Sequence, residues 1–332
     1  MGVRLKPLSE QVIVVTGASS GIGLATARRA ARQGACVVLA ARTKPALDQA
    51  VDDITAAGGQ ALAVVADVTR RDDLDRLARQ AVDRFGRIDT WVNNAGVGIW
   101  GVLEEVSEAD MRQLFDINFW GVVNGSLVAI PHLEASGGGA LINVGSVLSD
   151  RAAPVQGIYS ASKHAVQGFT DALRDELGHR GAQVAVTLIK PWSAATPLSE
   201  HVRNYTGHQP VLPPPVIDPE RVAAAVLRAA RHPTRSAFVG AAGPMTAALA
   251  NVAPGLLDRV SETVLFDMQL GEPTTAGSDN LWDGNADARV RSQGSSSAAP
   301  AVIPRSLGGL TIPQALAAAA GGFLVYRTLR RR

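Results

Sequence analysis

The chain has 332 residues, 46% of them hydrophobic, which is enough to bury a large core in one or two domains. Its formal net charge of +2 argues against a nucleic-acid partner, and part of the basic excess lies in the terminal arginines at 327 and 330–332. Cys36 is the only cysteine, which excludes an intramolecular disulfide and predicts a reducing, cytoplasmic compartment.

The first predicted strand, Gln11–Thr16, runs directly into a glycine-rich turn. The turn reads Thr16-Gly17-Ala18-Ser19-Ser20-Gly21-Ile22-Gly23 and precedes a helix-favouring stretch that stops at Gly34. Glycines let a pyrophosphate approach the backbone, and the free N–H groups of a helix N-terminus attract anions. A tight turn without a ligand is the plainer interpretation, but the strand before and the helix after favour a dinucleotide site.

The second predicted strand, Ala35–Ala41, ends next to Arg42. Many dinucleotide folds have an acidic residue here that binds the hydroxyls of the adenosine ribose, whereas an arginine pairs with a 2′-phosphate. Arg42 therefore favours NADP(H) over NAD(H). The competing interpretation is a solvated arginine that opens the next helix, for which Thr43 and Pro45 form a typical start.

Five further strands are predicted, at Ala61–Ala66, Ile88–Val92, Ala140–Val144, Gln183–Ile189 and Ser236–Gly240. Helical stretches alternate with the strands, and caps are expected at Thr69, Ser107 and Asp218. This alternation predicts an α/β fold, a Rossmann-type doubly wound parallel sheet of about seven strands with helices on both faces. The polar turn Asn93–Gly96 follows the fourth strand, at the edge where such sheets bind ligands. The irregular stretch 198–217 is either a lid or a plain surface loop.

A hydroxyl, a phenol and an amine follow the fifth strand, at Ser146, Tyr159 and Lys163. Tyr159 and Lys163 are four residues apart and would share one face of a helix. Tyrosine, with a reference pKa near ~10, is a poor acid or base at neutral pH, and a nearby ammonium would lower that pKa. With a serine to bind a substrate oxygen, the three predict proton transfer to or from an alcohol or carbonyl. Because Y-x-x-x-K often arises as a solvated helix pair, this prediction depends on a redox cofactor bound upstream.

Taken in order, these motifs resemble those of the short-chain dehydrogenase/reductase family, over roughly residues 7–243. Thr16–Gly23 matches the family's T-G-x-x-x-G-x-G motif, and Asn93–Gly96 matches its N-N-A-G motif. The family's catalytic positions fall on Asn118, Ser146, Tyr159 and Lys163.

The resemblance implies a role for each of these side chains. Tyr159 would exchange a proton with the substrate oxygen while hydride moves to or from the nicotinamide, and Ser146 would hold that oxygen. Lys163 would bind the nicotinamide ribose and lower the Tyr159 pKa, and Asn118 would position a water that leads to solvent. The implied cofactor contacts are Gly17, Ser19, Ser20, Gly21, Ile22, Gly23, Arg42, Asp67, Val68, Asn94, Ala95, Gly96, Tyr159, Lys163, Pro191 and Thr196.

Motifs and resemblance together predict an NADP(H)-dependent oxidoreductase that interconverts a carbonyl and an alcohol on a lipophilic small molecule. A homodimer or homotetramer would form through the helices that carry Asn118 and Tyr159. The alternative is a catalytically idle NADP-binding sensor or scaffold, against which the retained Tyr159 and Lys163 argue. Trp192 stands where the family has glycine and is expected to reshape the pocket. Histidine, cysteine and acidic residues do not cluster at ligand spacing, so no metal site is predicted.

The composition changes after residue 270. We expect a catalytic domain over residues 1–270, a flexible linker rich in Ser, Gly, Ala and Asp over 271–306, and an apolar tail over 307–332. The uncharged stretch Leu307–Tyr326 is near the roughly 20 residues needed to span a bilayer, although Pro313 and the glycines weaken a helix. A membrane-contacting tail and a helix docked on the protein surface are both compatible with this stretch.

Overall fold

A computed structural model describes residues 3–275, 277–284 and 288–293. Its strands are β1 Val12–Thr16, β2 Cys36–Ala41, β3 Gln60–Val65, β4 Thr90–Asn93, β5 Ile99–Trp100, β6 Gly139–Val144, β7 Val184–Pro191, β8 Arg203–Asn204, β9 His208–Pro210, β10 Ser236–Val239 and β11 Leu270–Pro273.

The longer helices lie between these strands. They are α1 Gly21–Arg32, α2 Lys44–Ala56, α3 Arg71–Phe85, α4 Glu108–Phe115, α5 Gly121–Ala135, α6 Gly157–His179, α7 Pro219–Ala229, α8 Ala242–Val252, α9 Pro254–Val260 and α10 Phe266–Met268. Single turns of 3₁₀-helix occur at Leu8–Glu10, Val147–Ser149 and Pro197–Glu200, and π-helical turns occur at Asp116–Trp120 and Ser261–Leu265.

Seven strands form one parallel sheet in the order β10-β7-β6-β4-β1-β2-β3. The predicted Rossmann-type sheet and its seven strands are therefore confirmed. The strand order reverses between β1 and β4, and a doubly wound sheet has its ligand crevice at the carboxyl ends of strands beside such a reversal. The glycine turn after β1 and the Asn93–Gly96 turn after β4 both lie there.

Apolar side chains cover both faces of the sheet. One cluster includes Leu74, Leu114 and Leu133, and the other includes Leu24 and Leu39, all fully buried. Each such side chain stabilises the fold by about 1.5–3 kcal/mol relative to an exposed one. Central strand β1 is buried along its whole length, which explains its continuous apolar sequence.

The predicted helix caps agree with the structure at two positions out of three. The Ser107 side chain accepts a hydrogen bond from the Asp110 N–H, and Asp218 accepts one from the Glu220 N–H. The prediction for Thr69 is wrong, because the helix starts one residue later and Thr69 donates its N–H and hydroxyl to Asp67. A short polar side chain can bond a local partner in the turn instead of the helix end.

Part of the range expected to be a flexible linker lies against the catalytic domain. β11 pairs antiparallel with β9, and the Leu281 side chain is fully buried in the cluster that includes Leu114. The apolar stretch proposed to contact a membrane, Leu307–Tyr326, lies outside the described residues. Within them, one helix, Glu108–Ala135, is long and apolar enough to cross a bilayer. Of the most apolar 18-residue stretch of this helix, 56% is buried inside the protein.

Candidate active site

Two turns at the carboxyl edge of the sheet are bonded to each other. The Asn94 side-chain amide donates to the carbonyl oxygens of Thr16 and Gly17 at 2.9 and 3.1 Å, and the Thr16 hydroxyl accepts from the Asn94 N–H. Gly17 has a φ of +65°, and a Cβ there would lie 2.7 Å from the Ala95 Cα. Glycine is therefore required where the first turn passes the second.

The first turn delivers the N-terminus of α1. Ser19 and Ser20 are half-buried at its entrance, Gly21 opens the helix with a φ of +55°, and Ile22 follows in its first turn. A Cβ on Gly23 would lie 2.2 Å from the Gly17 carbonyl oxygen, so the turn closes tightly on itself. The N–H groups of a first helical turn have no intrahelical acceptor, and together with the glycines they fit a pyrophosphate.

The residues predicted at the adenosine end surround the carboxyl ends of β2 and β3. Val68 is buried against the α5 start, where a Cβ on Gly121 would approach it to 2.7 Å, and Asp67 is bonded to Thr69. The Arg42 guanidinium donates to main-chain carbonyl oxygens of residues 280–283. Sequence reasoning missed this contact, because nothing near Arg42 in the chain indicates a partner 240 residues away.

The three residues of the predicted proton-transfer device lie together after β6. The Ser146 side chain faces Tyr159, where it acts to lower the pKa of the phenol, and its hydroxyl accepts the Leu148 N–H at 3.1 Å. The Lys163 ammonium donates to the Val144 carbonyl oxygen at 3.0 Å and lies 5.6 Å from the centre of the Tyr159 ring. A Cβ on Gly96 would come within 3.7 Å of the same ammonium. Helix α6 and the Asn93–Gly96 turn therefore face one space.

Burial governs the ionisation of this pair. It raises the pKa of Tyr159 to about 12, with the Ser146 hydrogen bond acting in the opposite direction, and it lowers the pKa of Lys163 to about 8. The expected lowering of the Tyr159 pKa by Lys163 is wrong for this state of the site, because desolvation is the dominant effect. The Tyr159 phenol is thus neutral at physiological pH, and the pKa of Lys163 lies closer to that pH than the pKa of a free lysine does.

Asn118 is fully buried in the π-helical turn between α4 and α5. Its amide oxygen accepts the Val97 N–H at 2.9 Å, and its amide nitrogen donates to the Val97 carbonyl and the Ser162 hydroxyl. The side chain therefore ties α5, α6 and the loop after β4 together. These bonds explain a polar residue inside an apolar helix, and a π-helical turn frequently marks a functional position.

The residues predicted at the nicotinamide end lie at the end of β7 and just after it. Pro191 is the last, buried residue of the strand, and Thr196 is buried next to α1, where a Cβ on Gly21 would lie 3.3 Å from its side chain. The Trp192 N–H donates to the Val239 carbonyl oxygen, and a Cβ on Gly240 would meet the Trp192 Cβ at 2.8 Å. The Trp192 indole nitrogen is buried without a hydrogen-bond partner among the described residues.

An apolar cluster borders the loop that precedes Tyr159. It contains Trp100, Val155 and Val202, with Leu198, Leu212, Phe266 and Leu270 packed against it. Val155 has a φ of +54°, a strained conformation for a β-branched residue, and its carbonyl accepts the Gly101 N–H. No sequence pattern marks a backbone of this kind. The Tyr205 hydroxyl donates to the Asp110 carboxylate at 2.7 Å.

A buried polar network behind the site was also missed. The Asn93 amide donates to Asn143 on the neighbouring strand and to Ser126 on α5, and the Asn143 amide donates to Thr170 on α6. Asn93 accepts in turn from the Trp91 indole. Asparagines that recur at the carboxyl ends of two predicted strands could have indicated it, because buried amides require partners.

Comparison with known proteins decides the family. The family profile described as short chain dehydrogenase matches residues 11–206, which hold both turns, helix α6 and β7. The chain belongs to the short-chain dehydrogenase family. Its members are oxidoreductases, in agreement with the motifs on which the sequence resemblance was based.

Relatives and solved structures extend the similarity beyond the profile. An uncharacterised oxidoreductase of Bacillus subtilis, YxnA, is 45% identical over 272 residues, covering 81% of this chain and 76% of its own. A short-chain dehydrogenase/reductase from Burkholderia phymatum, solved with NAD, is 29% identical with a TM-score of 0.69, covering 82% of this chain and 100% of its own. A metagenomic short-chain oxidoreductase solved with NADP is 31% identical with a TM-score of 0.60, covering 70% of this chain and 98% of its own.

Proposed function

We propose that this short-chain dehydrogenase is an NADP(H)-dependent oxidoreductase that interconverts a carbonyl and a primary or secondary alcohol. The observation that carries the proposal is the placement of Ser146, Tyr159 and Lys163 together at the edge of the sheet, with Tyr159 and Lys163 on one helix and the glycine turn across the crevice. A phenol, a hydroxyl and an ammonium that face one space are suited to proton transfer to a substrate oxygen.

The chain's own residues would handle the proton. A bound nicotinamide dinucleotide would supply or accept the hydride. Neutral Tyr159, with a pKa raised to about 12, would donate its proton as the carbonyl oxygen gains negative charge, and Ser146 would hold that oxygen by a hydrogen bond. Lys163, when protonated, would stabilise the phenolate that remains. In the oxidative direction the same groups would act in reverse.

The choice of NADP(H) rests on Arg42. The side chain follows β2 at the position where an acidic residue would repel a 2′-phosphate, and a guanidinium offers five donors in a planar fork to such a group. Related structures hold NAD in one case and NADP in the other. Arg42→Ala should weaken NADPH binding more than NADH binding, as measured by titration of intrinsic fluorescence.

The proposed substrate is a lipophilic small molecule. The cluster of Trp100, Val155 and Val202 borders the loop between Ser146 and Tyr159, and Trp192 follows β7 near the nicotinamide end. Apolar walls with few polar groups are typical of sites for apolar ligands. The buried indole nitrogens of Trp100 and Trp192, without partners among the described residues, could each donate to a second substrate oxygen.

The competing proposal is an idle NADP-binding sensor or scaffold. The retained set of Ser146, Tyr159 and Lys163 disfavours it, because a scaffold has no use for a buried phenol that faces a hydroxyl and an ammonium. An idle protein would bind NADPH yet oxidise none of it in the presence of any member of a broad panel of carbonyl compounds.

The decisive experiment follows NADPH absorbance with purified protein and a panel of aliphatic, aromatic and steroid ketones and aldehydes. On the best substrate, Tyr159→Phe should lower turnover by about 10²–10⁴-fold, the usual contribution of a general acid, while NADPH binding remains. The matched control is Tyr205→Phe, which removes a hydroxyl bonded to Asp110 instead of Ser146. Full activity in Tyr159→Phe would refute the mechanism.

A further inference from the structure

Described residues that follow β11 in the chain lie along the cofactor crevice. We define the C-terminal strap as residues 277–284 and 288–293. The Gly21 N–H, in the glycine turn, donates to the Arg289 carbonyl oxygen at 2.9 Å, and the Ser292 N–H donates to the Ala195 carbonyl oxygen at 3.2 Å, one residue before Thr196. The later part of the strap therefore follows the crevice from the pyrophosphate turn towards the nicotinamide end.

The earlier part of the strap holds Arg42. One terminal nitrogen of the guanidinium donates to the carbonyl oxygens of Leu281 and Trp282 at 3.5 and 3.0 Å, and the other donates to those of Asn280 and Asp283 at 2.5 and 3.1 Å. A guanidinium has five N–H donors, so only the one on Nε is not directed at the strap.

Side chains fix these carbonyls in place. Leu281 is fully buried, its carbonyl oxygen also accepts from Gln113 at 3.3 Å, and the Trp282 indole donates to Asp110 at 2.8 Å. A Cβ on Gly284 would lie 2.5 Å from the Thr43 hydroxyl oxygen. The strap thus passes close to the β2–α2 turn and is anchored independently of Arg42.

These contacts have different consequences for the two dinucleotides. The pyrophosphate, which NAD(H) and NADP(H) share, meets the same strap residue at Gly21 in either case. Only the 2′-phosphate of NADP(H) needs the terminal nitrogens of Arg42, and it must take them from carbonyl oxygens that are already bonded. NAD(H) carries a hydroxyl there and leaves those bonds intact.

We propose that the strap, through the carbonyls of residues 280–283, is a determinant of cofactor choice that restrains Arg42 and selectively weakens NADP(H) binding. The inference rests on the proposed function, in which the adenosine end of the dinucleotide lies at Arg42. The apparent dissociation constant of NADPH is raised by the factor 1/f, where f is the fraction of molecules with Arg42 released. That of NADH does not depend on this fraction.

The test variant is Gly284→Val, whose Cβ would lie 2.5 Å from the Thr43 hydroxyl oxygen and 3.1 Å from the Arg42 Cβ, and which therefore pushes the strap away from the β2–α2 turn while leaving the guanidinium group in the chain. The matched control is Gly277→Ala, at a strap position where a Cβ meets nothing within 4 Å. Dissociation constants of NADPH and NADH are measured by fluorescence titration. Gly284→Val should tighten NADPH at least about 5-fold and change NADH less than about 2-fold, since only the released fraction changes; Gly277→Ala should match the wild type.

A double-mutant cycle with Arg42→Ala separates this inference from the proposed function. In the Arg42→Ala background, Gly284→Val should no longer change NADPH affinity, because the restrained group is gone. An unchanged or lower NADPH affinity in Gly284→Val overturns the inference alone, and so does equal tightening of both dinucleotides. Failure of the wild type to bind either dinucleotide overturns the proposed function and the inference with it.

Hydrogen exchange on the unaltered protein gives a second measurement, independent of how well a variant folds. The Asn280 N–H donates to the His201 carbonyl oxygen at 3.0 Å, and the Leu281 N–H donates to Asp279 at 2.9 Å. Saturating NADPH should speed exchange at both amides, because residues 280 and 281 lose their carbonyl bonds to Arg42 while the other anchors stay in place, and saturating NADH should not. Protection of these amides by NADPH would show that the strap clamps the cofactor and would overturn the inference.

Discussion

The Lys163 ammonium lies 3.0 Å from the carbonyl oxygen of Val144, the last residue of β6. This bond ties the catalytic helix to the end of the strand that delivers Ser146. It also explains how an amine can remain in a site buried enough to lower its pKa to about 8, because the carbonyl satisfies one of its three donors. The packing that holds the Lys163 ammonium against Val144 is therefore also the packing that lowers its pKa.

The first prediction concerns the pH dependence of carbonyl reduction. The Lys163 pKa is lowered to about 8, so the ammonium that stabilises the developing phenolate is lost as pH rises through that value. Tyr159, with a pKa raised to about 12, keeps its proton over the same range. The kcat/KM for the dinucleotide reports ionisations of the free enzyme. We therefore expect kcat/KM to fall as pH rises, with an apparent pKa near 8.

Lys163→Met is the control for this profile. It should lower kcat/KM throughout and remove the inflection, because no ammonium remains to titrate. His164 is the neighbouring titratable residue, and its ring bonds the Ser160 carbonyl oxygen on the outer part of the same helix. An inflection that persists in Lys163→Met and disappears in His164→Gln would show that the inflection does not come from Lys163.

The second prediction concerns the glycine turn. In Gly23→Ala the added Cβ would lie 2.2 Å from the Gly17 carbonyl oxygen and 2.6 Å from the Asn94 side-chain amide nitrogen, so the Gly17 backbone and the Asn94 side chain must both move. Overpacking of this kind costs about 1–3 kcal/mol. We expect a lower midpoint in urea unfolding and at least about tenfold weaker dinucleotide binding, since the shift displaces the α1 N-terminus.

Gly178→Ala is its matched control. Gly178 is an exposed residue of α6 where a Cβ meets nothing within 4 Å. Alanine there should raise the free energy of unfolding by about 0.5–1 kcal/mol, because glycine inside a helix is unfavourable. An equal loss of stability in both variants would show that the close approach of Gly23 to Gly17 does not explain the requirement for glycine at position 23.

Much of the fold and of the catalytic site was predictable from local sequence. β1 is a continuous apolar run because it is buried on both faces, and Gly17 and Gly21 mark a turn because their positive φ values suit glycine. Ser146, Tyr159 and Lys163 were recognisable because strand, loop and helix deliver them in sequence order. In each case the physical cause acts over a few residues.

What the sequence did not predict depends on contacts across long separations. The strap has the polar composition of a linker, and its attachment depends on single residues, Leu281 in the core and Trp282 on Asp110, which a composition average conceals. The pKa of Tyr159 depends on how deeply the phenol is buried, which spacing from Lys163 does not report. Both outcomes are properties of packing.

The last prediction concerns assembly. Trp120 and Leu127, on the helix that runs from residue 108 to 135, are 51% and 42% exposed, although indole and leucine side chains are usually buried. Trp120 packs edge-to-face on Phe119, so the exposed apolar surface extends along the helix that carries Asn118. We expect this surface to join two copies of the chain, in line with the homodimer or homotetramer implied by the family.

Trp120→Glu with Leu127→Glu should halve the mass or reduce it to that of the monomer in light scattering, because two buried carboxylates would oppose association. Leu103→Glu, at a residue 52% exposed in the loop after β5, is the control and should leave the mass unchanged. A monomeric wild type, or a mass that does not respond to the double substitution, would contradict this interface.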